Sequence, residues 1–179
     1  MKRLSFLILL ISLSNQLSAQ EFNYKNNVQL ELGGHGLAYS LNYERIIFDQ
    51  SKWKTTAQFG MAYYPPFVGF IDLWLPMSIN QIYKIGLSHH IEGGLGIIKV
   101  YSSTRDADNQ AVDWSWDTFF SARLGYRYQK PDSRFLWRIG ITPIMETDYL
   151  KSEYYIPKSY RKIISDFHFM AAFSVGYSF

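Results

Sequence analysis

The histidines and their neighbours are the first residues to examine for chemistry. His90 and Glu92 share one face of a strand in His89-His90-Ile91-Glu92, because strand side chains alternate with period two. Two such ligands hold a metal ion only when a third comes from elsewhere in the fold. The chain has no cysteine, which excludes a thiolate metal site and a cysteine nucleophile. The glycine-rich segment 93–96 precedes no helix and is not a phosphate loop. We therefore predict no metal site and no cofactor, and we interpret His90 as a hydrogen-bonded structural residue.

Acidic and basic residues form a second set with chemical potential. In the alternating segments they fall on the same face as small polar residues. The set comprises Glu31, Glu44, Asp72, Glu92 and Glu146 with Lys54, Arg123, Arg127 and Arg138, and His90 and His168 lie near them. Charges enclosed in a narrow space are costly unless they are paired, so we expect an interlocked salt-bridge network. The alternative is a gated ion path in which the histidines titrate near neutral pH.

Period-two alternation runs through most of the chain after residue 20 and predicts the strands that position these residues. Eight strands are expected, at about 27–33, 36–47, 53–64, 70–80, 88–101, 116–129, 134–146 and 166–179, each bounded by Gly, Pro, Asp, Asn or Ser. No apolar run approaches the length of a transmembrane helix. Pro76 and Pro143 lie inside strands, where each removes a ladder hydrogen bond, so we expect a bulge or a local break there.

The size of the side chains decides which face of the strands points inward. One face carries most of the large apolar residues, many of them aromatic, and the other is rich in Gly, Ser, Ala and Thr. The interior of an eight-stranded barrel is only just wide enough for its own side chains, so the large apolar set does not fit inside. This argues against a soluble barrel with an apolar interior. We predict an all-β, eight-stranded antiparallel up-and-down transmembrane β-barrel whose apolar face meets lipid.

The N-terminus has the features of an export signal. Lys2 and Arg3 precede the apolar stretch 4–13, and Ala19 supplies a small residue for cleavage. We therefore divide the chain into a signal peptide, 1–19, and a barrel domain, 20–179. Removing the two basic residues leaves the mature chain almost neutral, so the whole-chain pI of about 9.0 does not indicate a nucleic-acid partner.

Connection lengths predict how the barrel is oriented. The connections 48–52, 81–87 and 130–133 are short, whereas the two longest, 102–115 and 147–165, fall at the opposite end. Outer-membrane barrels have short periplasmic turns and longer extracellular loops. Both termini are therefore expected in the periplasm.

The segment 147–165 is basic and rich in tyrosine, and it is the candidate recognition loop. Its candidate residues are Tyr149, Lys151, Tyr154, Tyr155, Lys158, Tyr160, Arg161 and Lys162. Tyrosine and arginine are common anchors at interfaces, so this loop is expected to bind another envelope protein or an anionic glycolipid. The alternative is that it packs on the acidic loop 102–115 and acts as a lid.

The ends of the chain carry a resemblance to a known group. The last strand ends Val175-Gly176-Tyr177-Ser178-Phe179, which is similar to the terminal signal read by the outer-membrane assembly machinery. The segment Glu31-Leu32-Gly33-Gly34-His35-Gly36 looks like the opening hairpin of related barrels, and aromatic residues gather near both ends of the predicted strands. The mature chain thus resembles small eight-stranded bacterial outer-membrane barrels of the OmpA/OmpX kind. The resemblance implies integral insertion in the outer membrane of a Gram-negative bacterium, contact with its lipid, and recognition by the assembly machinery.

These barrels are diverse in role, so three functions stay open. We expect a plugged barrel with a structural or interaction role at the envelope. The first alternative is an accessory subunit of a larger outer-membrane secretion, assembly or uptake complex, and the second is a lipid-modifying enzyme or a narrow pore. Barrel deacylases carry a His-x-Ser pair on a lipid-facing strand, and no histidine here is followed two residues later by serine. We therefore predict no catalytic residue.

Overall fold

The computed structural model describes residues 24–64, 71–105, 111–146 and 168–179, and these form one closed barrel of eight strands. The strands are β1 (Asn26–Gly33), β2 (Tyr39–Asp49), β3 (Trp53–Tyr63), β4 (Ile71–Lys84), β5 (His89–Arg105), β6 (Ala111–Gln129), β7 (Phe135–Glu146) and β8 (His168–Ser178). Each strand pairs antiparallel with its neighbour in sequence, and β8 pairs with β1 to close the barrel. The predicted all-β, up-and-down architecture is confirmed. The predicted signal peptide, 1–19, and the candidate recognition loop, 147–165, lie outside the described residues.

Burial alternates along the strands, with polar residues inside and apolar residues outside. In β1 the side chains of Asn27, Gln29 and Glu31 are buried, whereas Leu30 and Leu32 are 46% and 53% exposed. Polar residues outnumber apolar ones among the buried side chains that the structure describes. This is the reverse of a soluble protein, where the largest apolar residues are the most often buried.

The two ends of the barrel differ. We call the end with the short β2–β3, β4–β5 and β6–β7 connections the turn end, and the opposite end the loop end. Gln50 and Trp53 close the first turn with reciprocal backbone hydrogen bonds of 2.8 and 3.1 Å. Asn26 and Phe179 exchange backbone hydrogen bonds of 3.2 and 2.8 Å, so the beginning of β1 and the C-terminus meet at the turn end.

Several predicted strand limits are wrong. Strand β4 continues to Lys84, which shortens the predicted turn 81–87. Strand β5 continues to Arg105 and β6 begins at Ala111, so most of the predicted loop 102–115 is paired sheet. In the added part of β5, Ser102, Ser103 and Thr104 stand in place of large apolar residues, so the alternation is hard to recognise there. Strand β2 begins at Tyr39 rather than 36, because the preceding residues fold inward.

Both internal prolines interrupt the sheet locally. The β3–β4 ladder skips the pairs around Pro76, and the β6–β7 ladder skips the pairs around Pro143. The register is the same on either side of each gap, so the predicted disturbance takes the form of a local break. The helical element among the described residues is the short 3-10 turn Gly34–Gly36. No helix in these ranges is long and apolar enough to cross a bilayer.

Candidate functional site in the barrel lumen

Three glutamates and three arginines form a salt-bridge network across the lumen. They occupy inward positions on five strands: Glu31 on β1, Glu44 on β2, Glu92 on β5, Arg123 and Arg127 on β6, and Arg138 on β7. Each side chain is at most 5% exposed. The sequence pattern predicts these six residues as lumen charges, and the structure brings them together.

Arg138 lies at the centre of this network and contacts all three glutamates. Its Nη1 is 2.9 Å from Glu92 Oε1 and 3.7 Å from Glu44 Oε1, and its Nη2 is 3.3 Å from Glu31 Oε2. The same guanidinium donates to Gln58 Oε1 at 3.2 and 3.3 Å. Arginine suits this place because its planar fork presents several donors in fixed directions.

Arg127 and Arg123 complete the charge balance. Arg127 Nη1 donates to Glu44 Oε2 at 2.8 Å and lies 3.7 Å from Glu92 Oε2. Arg123 Nη2 pairs with Glu31 Oε2, and its Nη1 lies 3.7 Å from Glu92 Oε1. Three carboxylates therefore face three guanidiniums, and the six-residue network is neutral. Neutrality matters because a buried charge without a partner is strongly destabilising.

Neutral polar side chains also donate hydrogen bonds to two of the three glutamates. Glu44 accepts hydrogen bonds from Asn27 Nδ2 at 2.6 Å, Thr56 Oγ1 at 2.8 Å and Gln29 Nε2 at 3.3 Å. Glu31 accepts one from Ser174 Oγ at 3.0 Å. These partners are not found when only the charged residues of the sequence are considered. For Asn27 and Gln29, the alternation with the apolar residues Val28 and Leu30 indicates in the sequence that their side chains point inward.

Paired glycines give the guanidiniums room. Gly125 lies opposite Gly140 in the β6–β7 ladder, on the inward side next to the arginines. A Cβ at Gly125 would lie 2.7 Å from the Ile139 carbonyl oxygen, and one at Gly140 would lie 2.6 Å from the Leu124 carbonyl oxygen. The cavity beside Glu92, Arg123 and Arg138 measures only about 10 Å³. That volume holds about one water molecule, so side chains fill this level of the lumen.

The connection between β1 and β2 folds into the lumen above the network. His35 is 1% exposed, and its backbone N–H donates to Glu31 Oε1 at 3.1 Å. The indole N–H of Trp74 donates to the His35 carbonyl, and the Tyr64 hydroxyl donates to the Gly36 carbonyl. From the sequence, residues 34–35 are expected in an outer connection. The residues do connect β1 to β2 at the loop end, but they lie inside the barrel.

Two glycines permit this inward fold. Gly33 and Gly34 have φ of +73° and +62°, a region that side chains rarely adopt. A Cβ at Gly33 would lie 2.1 Å from the Ala171 carbonyl oxygen, and one at Gly34 would lie 2.6 Å from Glu31 Oε1. The chain can therefore reverse here only without side chains at both positions.

An apolar cluster fills the lumen at the loop end. Trp74 stacks on Phe119 with ring centroids 5.8 Å apart, and Ile98 and Val100 are 0% and 2% exposed. The cluster also contains Ala62, Tyr64 and Ile144, with Leu37 and Met170 packed against it. This cluster departs from the expectation that the large apolar residues lie outside. The alternation of inward and outward side chains along β4 and β6 already places Trp74 and Phe119 on the inward side.

The other predicted lumen residues lie nearer the two ends. Lys54 pairs with Asp49 near the turn end, and Asp72 accepts a hydrogen bond from Ser103 near the loop end. His90 is buried in β5 opposite Arg127. Glu146 is the last residue of β7, and its side chain lies outside the described part of the chain. His168 begins β8 and is half-buried.

No metal site is assembled in the part of the chain that the structure describes. No three His, Asp or Glu side chains in these ranges are grouped so that they could hold an ion. The eight candidate residues of the recognition loop, Tyr149 to Lys162, lie outside the described ranges.

Aromatic rings gather at both ends of the outward face. At the turn end, Trp137 contacts Tyr126 and Tyr128 with centroids 5.4 and 5.7 Å apart. At the loop end, Tyr101 contacts Trp116 at 5.2 Å and Trp114 at 6.5 Å. Such rings suit the boundary between an apolar and a wet environment.

Solved structures with the same arrangement of strands exist. The N-terminal β-barrel domain of Pseudomonas aeruginosa OprF superimposes with a TM-score of 0.52, covers 88% of this chain and 100% of its own, and is 14% identical. The chain has the small eight-stranded barrel fold of the OmpA/OmpX kind. The Yersinia pestis outer membrane protein Ail covers the same shares with a TM-score of 0.46 and 12% identity. No protein-family model and no curated protein sequence matches the chain.

Proposed function

We propose that the mature chain is an integral barrel of the outer membrane of a Gram-negative bacterium, with a plugged lumen and a structural or interaction role. One observation carries the proposal: the barrel buries its charged residues and exposes its large apolar ones. Leu95 and Leu124 are 73% and 59% exposed, while Glu31, Glu44 and Arg127 are 1% exposed or less. In a lipid bilayer this apolar exterior is not exposed to water.

Two layers support a closed lumen. The neutral six-residue network occupies the middle, and the apolar cluster around Trp74 and Phe119 lies above it with the β1–β2 connection. An ion crossing this interior must lose its water, because the cavity at the network measures only about 10 Å³. The packing therefore favours a plug over an open ion path.

Orientation and assembly belong to the same proposal. The short connections, the beginning of β1 and the C-terminus lie at the turn end, which we assign to the periplasm because outer-membrane barrels keep their short turns there. Strand β8 pairs with β1 and closes the barrel, and we assign recognition by the assembly machinery to its terminal residues.

Planar-bilayer recording tests the closed lumen directly. The wild-type protein should insert and show no steady single-channel conductance, whereas an Arg138→Ala variant, in which three glutamates lose a shared partner, should show transient openings. Steady wild-type conductance that the substitution does not change would contradict the plug. Recovery of the mature protein as a soluble species rather than with the outer-membrane fraction would contradict the location.

A further inference from the structure

The two ends of the barrel differ in charge. In the described part of the chain, the charged residues at the loop end are mostly acidic: Asp72, Asp113, Asp117 and Glu146, with Lys99 and Arg105. The exposed charged side chains at the turn end are mostly basic: Lys25, Arg45, Lys52, Lys130 and Arg134, with Asp132. Asp49 is also at the turn end, but it is paired with the buried Lys54. The turn end therefore attracts anions, although the C-terminal carboxylate lies there as well.

Three of these cations lie close together where the barrel closes. The Ser178 N–H donates to the Arg134 carbonyl at 2.6 Å, and Asn26 exchanges backbone hydrogen bonds with the C-terminal residue. The start of β7, the end of β8 and the segment before β1 therefore follow one another around the turn end. Lys25 directly precedes Asn26, and Lys130 begins the turn that leads to Arg134. We call this region the closure patch, and it consists of Tyr24, Lys25, Lys130, Arg134 and Tyr177.

Arg134 is the best-ordered cation of the closure patch, because two tyrosines hold its guanidinium. Its Nε donates to Tyr24 Oη at 3.2 Å, and its Nη1 donates to Tyr177 Oη at 2.7 Å. Its Cζ also lies 5.2 and 5.7 Å from the centroids of these two rings, which is within cation–π distance. The side chain is exposed, and its Nη2 makes no hydrogen bond to any other described residue. Both hydrogens of Nη2 are therefore available to an anionic ligand.

The residue types in the closure patch favour a carboxylate on a protein as the ligand. A guanidinium binds a carboxylate through strong, charge-assisted hydrogen bonds. Tyrosine and arginine are also the residue types that most often dominate the binding energy at protein interfaces. Because Arg134 is already held by Tyr24 and Tyr177, binding costs less side-chain entropy there than at a free arginine. Lys25 and Lys130 add attraction to further acidic groups without fixing their positions.

We propose that the closure patch binds an acidic polypeptide segment of a periplasmic protein, with one carboxylate on Arg134 and further carboxylates near Lys25 and Lys130. The inference deepens the interaction role in the proposed function, because it names the chemistry of a partner and the surface that meets it. It rests on the proposed orientation, in which the turn end faces the periplasm.

Fluorescence anisotropy tests the closure patch with the mature protein in nanodiscs of phosphatidylcholine, a lipid without net charge. The probe is a fluorescein-labelled oligoglutamate peptide in physiological salt, where charges more than about 8 Å apart are largely screened. The wild type should bind the peptide, and Arg134→Gln should weaken binding about tenfold, because a charge-assisted pair is lost. Lys52→Gln is the matched control. It removes an exposed cation from the β2–β3 turn at the same end, outside the patch, and should leave the affinity nearly unchanged.

Two further variants separate the placement of the Arg134 guanidinium from its charge. Arg134→Lys keeps the charge but loses the planar fork, and Tyr24→Phe removes the hydroxyl that accepts from Nε. Each should weaken peptide binding several-fold, whereas Tyr83→Phe on β4, outside the patch, should bind as the wild type does. Wild-type affinity in both Arg134→Lys and Tyr24→Phe would overturn the role of the tyrosines. Heat-dependent mobility on gels, measured for every variant, establishes that each barrel is folded.

The outcomes separate this inference from the proposed function. Equal losses in Arg134→Gln and Lys52→Gln would show non-specific attraction between charges and overturn the site. Dextran sulfate bound as tightly as the peptide would make an anionic glycan the ligand, and loss of peptide binding in nanodiscs containing phosphatidylglycerol would make lipid headgroups the ligand. Either result overturns the inference. Barrels that insert into nanodiscs without binding the peptide contradict only this inference, whereas failure to insert contradicts the proposed function on which it rests.

Discussion

Replacing Arg127 by alanine should destabilise the barrel strongly. Arg127 is 1% exposed and lies 2.8 Å from Glu44, which is itself fully buried. Without Arg127, three carboxylates face two guanidiniums, and the nearest cation to Glu44 is Arg138 at 3.7 Å. The cost arises because a buried carboxylate loses its closest partner.

The size of the effect follows from these distances. With an effective dielectric constant of about 20, opposite charges 2.8 Å apart attract by about 6 kcal/mol. Relaxation and the remaining attraction to Arg138 recover part of this energy, and breaking a buried pair typically costs about 3–5 kcal/mol. We expect a loss within that range for Arg127→Ala.

A double-mutant cycle separates charge from packing. Arg127→Met keeps most of the side-chain volume, and Glu44→Gln removes the carboxylate charge while keeping its shape. The double variant should be more stable than Arg127→Met alone, because no buried charge is left over. Unfolding in urea, followed by tryptophan fluorescence in lipid vesicles, provides the free energies. The role assigned to the network would be refuted if the unfolding free energy of Arg127→Ala lay within about 0.5 kcal/mol of the wild-type value, or if the cycle showed no coupling between the two residues.

Three further predictions test other parts of the molecule. Gly34 has φ +62°, and a Cβ there would lie 2.6 Å from Glu31 Oε1, so Gly34→Ala should lower the unfolding free energy by about 1–3 kcal/mol. Gly86→Ala is the control and should be tolerated, because the atom nearest to its Cβ would be 3.4 Å away. Equal urea midpoints for the two variants would contradict the inward fold of the β1–β2 connection. Leu124→Arg, on the outward face between the aromatic groups, should cost about 2–4 kcal/mol in vesicles, and Gln81→Arg nearer the turn end should cost much less; equal costs would argue against a lipid-facing surface. Deleting Tyr154 to Arg161 should remove co-purifying envelope proteins or glycolipids, and a deletion that only lowers the melting temperature would make the loop a lid.

Much of the architecture could be predicted from the sequence because inward and outward side chains alternate along each strand. The alternation of Asn27, Gln29 and Glu31 with Val28 and Leu30 gives both the strand and the direction of each side chain. Because the pattern repeats along the chain, it also identifies which charges share the lumen. The fold and the six-residue network followed from this local information.

The loop end could not be predicted in the same way. Whether the β1–β2 connection turns inward depends on space left by distant strands, and on the donors Trp74 and Tyr64 that hold the His35 and Gly36 carbonyls. The extension of β5 and β6 depends on pairing such as Ser102 with Ser115, where neither residue has a strong strand preference. These features arise from tertiary contacts, which the period-two pattern of the sequence does not reveal.

The apolar cluster shows a limit of arguing from total volume. The estimate that large apolar residues do not fit in the lumen holds for most of them, yet Trp74 and Phe119 lie inside. The barrel accommodates them because glycine and serine occupy other inward positions, such as Gly125, Gly140 and Ser121. Each residue must be assigned to the inward or outward face separately, because the total volume of the large apolar residues does not reveal the few that lie inside.

Spin labels on β8 give the most direct test of the claim that the outward face meets lipid. The chain has no cysteine, so single cysteines at Ala171, Phe173, Val175 and Tyr177, all outward residues, can be labelled selectively. In vesicles, collision with oxygen should be highest at Phe173 and Val175, and collision with a water-soluble nickel chelate should be highest at Tyr177 near the turn end. Equal and high collision with the nickel chelate at all four positions would mean that water covers this face, and would contradict a membrane-spanning barrel.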